Sequence, residues 1–163
     1  MAKSQQVEYH DGKTILQGYG AYPKNTEGSL PAVLICHDWT GRSSLTCQRA
    51  EQIAELGYVG FAIDMFGNAR NGQTTEEKEA LIQPFMQDRA ALQTRILAAL
   101  DAVGKLEHVD NKRIAAIGFC FGGLCVLDLA RSGADIKGVV SFHGLLQAPP
   151  DSLEAKTKTL LLF

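Results

Sequence analysis

Gly118-Phe119-Cys120-Phe121-Gly122-Gly123 sets a cysteine among glycines, after the apolar run Arg113 to Ile117 and before the helix-like run Leu124 to Ala130. Strand, sharp turn and helix is the setting of a nucleophile elbow, whose central residue is forced into a strained backbone conformation. The flanking glycines remove Cβ atoms that would strike the neighbouring strand and helix. The following helix would point free N–H groups and the positive end of its dipole at the Cys120 sulfur, favouring thiolate over thiol. The Phe121 N–H would face an oxyanion developing on an attacked carbonyl. The chemistry on offer is acyl transfer through sulfur, and it needs a base.

Four histidines could serve: His10, His37, His108 and His143. His10 adjoins a hairpin turn, and His108 enters the fifth strand from its N-terminal end, so both are remote. His37 and His143 fall at the same edge as Cys120. His37 is placed to orient the loop after it. His143 reads as pocket lining or, less simply, as a makeshift base, since adjacent parallel strands bring their C-terminal ends together. Trp39 and Phe66 also read as pocket lining. Asp64, at a strand end, reads as a turn or cap residue. Arg42 and Arg70, on loops at this edge, would either attract an anionic substrate or be solvated charges. Cys36 and Cys125 lie in apolar runs and read as buried thiols.

The elements that must position these residues alternate in type. Val7 to His10 and Lys13 to Tyr19 flank an Asp11-Gly12 turn and predict an antiparallel hairpin. Ala32 to Cys36 is a continuous apolar strand of the kind buried on both faces. Leu45, Arg49, Ile53 and Leu56 keep helical spacing up to Gly57, and Tyr58 to Ile63 is a second buried strand. Residues 67–76 read as a loop. A long helical stretch covers about Glu76 to Lys105, with Leu92, Ile96, Ala99, Leu100 and Val103 as its apolar face and an interruption expected near Pro84. Then come the strand Arg113 to Ile117, the elbow, a helix to Arg131, the strand Ile136 to Phe142, a loop with Pro149-Pro150 and a last strand Thr159 to Phe163. This pattern implies an α/β fold in one domain over 1–163: a mostly parallel sheet with an N-terminal antiparallel hairpin and helices on both faces. Ligands of such sheets sit beyond the strand C-termini.

With 163 residues, 45% hydrophobic and 21% charged, the chain is long enough for one core. Its formal charge of −2 offers no basic face for nucleic acid. The N-terminus lacks the apolar core of a signal peptide, and no apolar run approaches the roughly 18 residues of a membrane span, so a cytoplasmic protein is expected. The four cysteines show neither metal-ligand spacing nor the density of a disulfide scaffold, and no metal site is expected.

Cys36-His37-Asp38-Trp39-Thr40-Gly41, Ile63-Asp64-Met65-Phe66-Gly67, the elbow, and Val140-Ser141-Phe142-His143-Gly144, in this order, resemble the dienelactone hydrolase family of the α/β-hydrolase fold. Its members carry cysteine where most relatives carry serine. The resemblance implies Cys120 as nucleophile and the backbone N–H groups of Trp39 and Phe121 as the oxyanion hole. It also implies an acidic residue holding the resting thiol. Asp38 falls there, one methylene shorter than the glutamate of the best known members. In this fold the acid and histidine of the triad follow the nucleophile in the chain. Phe163 comes where the loop bearing the acid would begin, so the resemblance implies about two-thirds of a family member, lacking the last strand and helices. A bare sheet edge and an uncovered face would follow, and with them pairing of copies, aggregation, or membership of a longer product.

The leading expectation is a cysteine-dependent hydrolase of ester or lactone bonds, with a small-molecule partner, no cofactor, and weak or no turnover as this chain alone. The other expectations are a non-catalytic binding or assembly module and, more remotely, a thiol sensor at Cys120.

Overall fold

The computed structural model describes residues 2–149 and 159–162. Pro150 and Phe163, expected in a loop and in the last strand, lie outside them. The hairpin forms from β1 (Lys3–Asp11) and β2 (Thr14–Tyr22), in register from Lys3 opposite Tyr22 to Asp11 opposite Thr14. Its two-residue turn is Gly12-Lys13, one position later than expected, with Gly12 at φ +56°. β2 pairs antiparallel with β4 (Val59–Ala62). β4, β3 (Leu30–Cys36), β5 (Val109–Phe119), β6 (Val139–Phe142) and β7 (Thr159–Leu162) run parallel, giving the order β1-β2-β4-β3-β5-β6-β7. β6 starts three residues later than Ile136, at Val139.

Side chains alternate along the buried strands between two helical layers. Leu34, Cys36, Ile114 and Ala116 pack into a core with Leu92 and Ile96 of α3 (Arg89–Gly104) and with Leu124 and Leu129 of α4 (Phe121–Arg131). Ile35 and Ala62 pack on the other face with Ala50 and Ala54 of α1 (Ser44–Glu55). The buried stripe of α1 is Thr46, Ala50 and Ala54; of the expected Leu45, Arg49, Ile53 and Leu56, Ile53 is partly buried and packs against this core. The cause lies at Gly60, where a Cβ would meet the Ala50 carbonyl oxygen at 2.2 Å. So close an approach admits only small residues, and Leu45 and Leu56 are left exposed.

The long helical stretch breaks at Asp88, not at Pro84. Pro84 is accommodated in the last turn of α2 (Thr75–Gln87). The Asp88 side chain accepts the Ala91 N–H at 2.9 Å and caps a new helix, α3. The start of α3 is tied to α4 by a buried ion pair: Arg89 donates to both carboxylate oxygens of Asp128, at 2.7 and 2.8 Å. Arg131 adds a third bond at 2.9 Å, and Asp128 has no exposed surface.

Beyond α1, Val33, Ile53, Ile117, Val140 and Leu160 line an apolar groove of about 420 Å³ on the sheet. Among the described residues β7 pairs with β6 alone. No helix among them is long and apolar enough to cross a membrane.

Candidate active site

The elbow forms where β5 meets α4. Cys120 stands at φ +53°, ψ −115°, between strand and helix. Its N–H donates to the Phe142 carbonyl at 3.0 Å, which ties the turn to the end of β6. Each neighbouring glycine is required by contact. A Cβ on Gly118 would lie 2.0 Å from the Gly122 oxygen, one on Gly122 2.3 Å from the Cys36 oxygen, and one on Gly123 2.5 Å from Ser141 Oγ. The first turn of α4 therefore lies directly on the C-terminal end of β3, beside the loop that carries Trp39. The N–H groups of Gly123 and Leu124 are spent on the Cys120 carbonyl. Neither the Phe121 nor the Trp39 N–H donates to another described residue, so both expected oxyanion donors are uncommitted.

The Trp39 loop is shaped from both sides. Asp38 Oδ1 accepts the Thr40 N–H at 2.8 Å, and the Gly41 N–H reaches the Asp38 carbonyl at 3.4 Å. Asp38 was expected to hold the resting thiol. Among the described residues its carboxylate instead shapes its own loop, because a chain one methylene shorter than glutamate closes on a nearby amide.

His37 is fully committed. Its Nε2 accepts the Met65 N–H at 3.1 Å, which leaves the proton on Nδ1 to be donated to the Asp38 carbonyl at 2.6 Å. Burial pushes the imidazole below its usual range. It orients the loop and has no lone pair left to serve as a base.

Asp64 organises the next loop. Its Oδ1 accepts from Phe66 N at 3.0 Å and Gly67 N at 2.9 Å, and its Oδ2 from Gln17 N at 3.0 Å and Ala69 N at 2.7 Å. The Tyr9 hydroxyl, which sequence reasoning passed over, accepts the Asp64 N–H at 3.0 Å, and burial pushes its pKa up. Phe66 was a pocket candidate, but it is 1% exposed and stacks on Phe121 at 5.7 Å between ring centres. It belongs to an aromatic core of three rings with Phe85 and Phe121 under the elbow.

A cleft of about 360 Å³ opens on the α1 side of this edge, lined by His37, Asp38, Phe119, Phe142, His143 and Leu45, among others. Phe119, next to Cys120 in the chain, and Phe142, whose carbonyl accepts the Cys120 N–H, stack in parallel at 4.8 Å. His143 is exposed, and its N–H donates to the Leu162 carbonyl at 2.6 Å. Among the described residues Cys120 Sγ has no side-chain hydrogen-bond partner. Arg42 donates to Cys47 Sγ at 3.1 Å and Gln6 Oε1 at 3.2 Å. Arg70 folds back on the Phe66 and Gly67 carbonyls. Cys36 and Cys125 are fully buried free thiols. His108 lines a separate pocket with Lys3 and Tyr22, and His10 sits beside Glu8 at 3.9 Å.

A mostly parallel sheet, helices on both faces and a strained elbow at the C-terminal edge define an α/β-hydrolase-like fold. The chain belongs to the dienelactone hydrolase family, whose sequence profile matches residues 16–163. It is similar over 98% of its length to the solved structure of m3DLH, at 34% identity and a TM-score of 0.92, covering 68% of that protein. It is equally similar to a dienelactone hydrolase-like promiscuous phosphotriesterase from metagenomic libraries, at 34% identity and a TM-score of 0.92, covering 98% of this chain and 67% of that one. A carboxymethylenebutenolidase homolog of Xenopus tropicalis is 25% identical over 165 residues, 99% of this chain and 63% of the relative. The chain spans less than two thirds of the length of the curated relatives it matches.

Proposed function

We propose that this chain carries the nucleophilic half of a cysteine hydrolase acting on ester or lactone bonds. The observation behind this reading is Cys120 itself, held at positive φ at the head of α4, with the N–H groups of Phe121 and of Trp39 in the neighbouring loop uncommitted. The names of the family and of a relative favour lactones as the substrate class.

In this mechanism Cys120 Sγ attacks the carbonyl carbon and the C=O electron pair moves onto oxygen. The Trp39 and Phe121 amides, which have no other acceptor among the described residues, donate to that oxyanion in this reading. As the carbonyl re-forms, the C–O bond to the alcohol breaks, the departing oxygen takes from water the equivalent of the proton that the Cys120 thiol gave up to solvent, and an acyl-thioester remains. Its hydrolysis needs a base to activate water. His37 cannot supply one, since both ring nitrogens are engaged. Acylation should therefore outrun deacylation.

The test is p-nitrophenyl acetate hydrolysis by the wild type and by Cys120→Ala. A burst of p-nitrophenolate approaching one equivalent per chain, followed by a slow phase and absent from the variant, is expected. A burst that survives Cys120→Ala, or neither a burst nor any Cys120-dependent turnover, refutes the reading. Sustained turnover dependent on Cys120 would retain the nucleophile and assign the base to His143.

A further inference from the structure

The loop that presents Trp39 is not free-standing. Gly41 bridges to Asn71, and the Gly72 N–H donates to the Thr40 carbonyl at 2.9 Å. A Cβ on Gly41, which stands at φ +113°, would lie 2.2 Å from the Arg70 oxygen, so the two loops touch backbone to backbone. The second loop leads straight into α2 through a capping box in which Thr74 accepts the Glu77 N–H at 3.2 Å and Glu77 reaches back to Thr74 N at 3.3 Å. This fixes the first turn of α2 over the oxyanion loop. From that turn Lys78 extends its ammonium over the Trp39 indole, 5.6 Å from the ring centre. Its stem is wedged against the loop, where a Cβ on Gly72 would meet Lys78 Cγ at 2.8 Å. Among the described residues the ammonium forms no ion pair, although Glu76, Glu77 and Glu79 are close in sequence. The Trp39 ring is its one charge-stabilising contact among the described residues.

We propose that Lys78 is a positioning residue for oxyanion stabilisation: it clamps the Trp39 indole and so holds the Trp39 peptide N–H on the carbonyl attacked by Cys120. The inference rests on the hydrolase reading above and adds to it a residue that touches no substrate. The clamp acts through a side chain whose backbone N–H matters only once charge develops on the substrate oxygen. Its loss should therefore lower the rate of acylation and leave substrate binding alone.

Trp39 is the chain's one tryptophan, so its emission reports on the clamp without reference to activity. The experiment measures pre-steady-state acylation by p-nitrophenyl acetate, together with Trp39 emission and its quenching by acrylamide, for wild type, Lys78→Met and Lys78→Arg. Lys78→Met should lower the saturating acylation rate about two- to fivefold, the equivalent of one cation–π contact, with the half-saturating concentration unchanged. It should also shift Trp39 emission and increase quenching, and Lys78→Arg should restore both. If the wild type acylates and Lys78→Met does so at the same rate, the proposal is overturned, whatever happens to the emission. A changed half-saturating concentration at unchanged rate also overturns it, since Lys78 would then be contacting substrate. If the wild type does not acylate, the hydrolase reading fails and the proposal falls with it, an outcome set apart from the other two by the wild-type arm alone.

Discussion

The backbone at Cys120 makes a stability prediction with an unusual sign. At φ +53°, ψ −115°, a residue bearing a Cβ sits in a region that costs about 1–3 kcal/mol and that glycine enters freely. Elsewhere in ordered structure glycine is less stable than alanine by about 0.5–1 kcal/mol, because it loses more backbone freedom on folding. Cys120→Ala and Cys120→Gly both delete the half-buried sulfur, so that loss cancels when the two variants are compared. What remains is relief of strain less the entropy penalty, which favours the glycine variant by roughly 0–2.5 kcal/mol. In a chain of this length each kcal/mol moves Tm by about 2–4 °C. Equilibrium urea unfolding of both variants, with a common m value, measures the difference. A glycine variant less stable than the alanine variant by the ordinary amount would show that Cys120 is not strained and would remove the geometric basis of the elbow.

Three further outcomes are expected. Because burial holds His37 neutral in the folded state, the unfolded chain binds the extra proton as pH falls below about 6.5. Stability should then fall with pH by up to about 1.4 kcal/mol per unit until the folded-state imidazole itself titrates; urea midpoints between pH 7 and 5 should show a slope that His37→Gln flattens. Asp64→Asn presents an NH₂ group to amides now bound by carboxylate oxygens and should cost about 3 kcal/mol; thermal unfolding that matches wild type would contradict this. Arg89→Met leaves the buried Asp128 with Arg131 as its remaining guanidinium and should cost about 3 kcal/mol, the low end for a broken buried pair. A variant as stable as wild type in urea would show the pair to be dispensable.

The parts of the site that could be read from sequence are those imposed by local sterics. Gly118, Gly122 and Gly123 each prevent a backbone collision, so glycines around a cysteine at a strand-to-helix corner carry their geometry with them. The alternation of elements was legible for the same reason, since two-face burial makes a strand apolar throughout, as Leu34 to Cys36 show. What could not be read depends on tertiary approach. The inner face of α1 is set by Gly60, which brings the helix too close for leucine and leaves the larger residues outside. Pro84 carries a strong breaking signal, yet the last turn of α2 absorbs it, and the Asp88 cap decides the boundary. Asp38 is captured by its own loop, Phe66 by an aromatic core, and the meeting of Lys78 with Trp39 depends on two loops whose contact leaves no trace in spacing.

Peptide mass mapping after brief exposure to p-nitrophenyl acetate tests the central claim most directly. Cys47, half-buried and bonded to Arg42, provides an internal control, while Cys36 and Cys125 are sealed in the core. One acetyl group per chain, on the peptide carrying Cys120, is the predicted result. Acetylation at Cys47 or on lysines with Cys120 unmodified would contradict the assignment of Cys120 as the nucleophile.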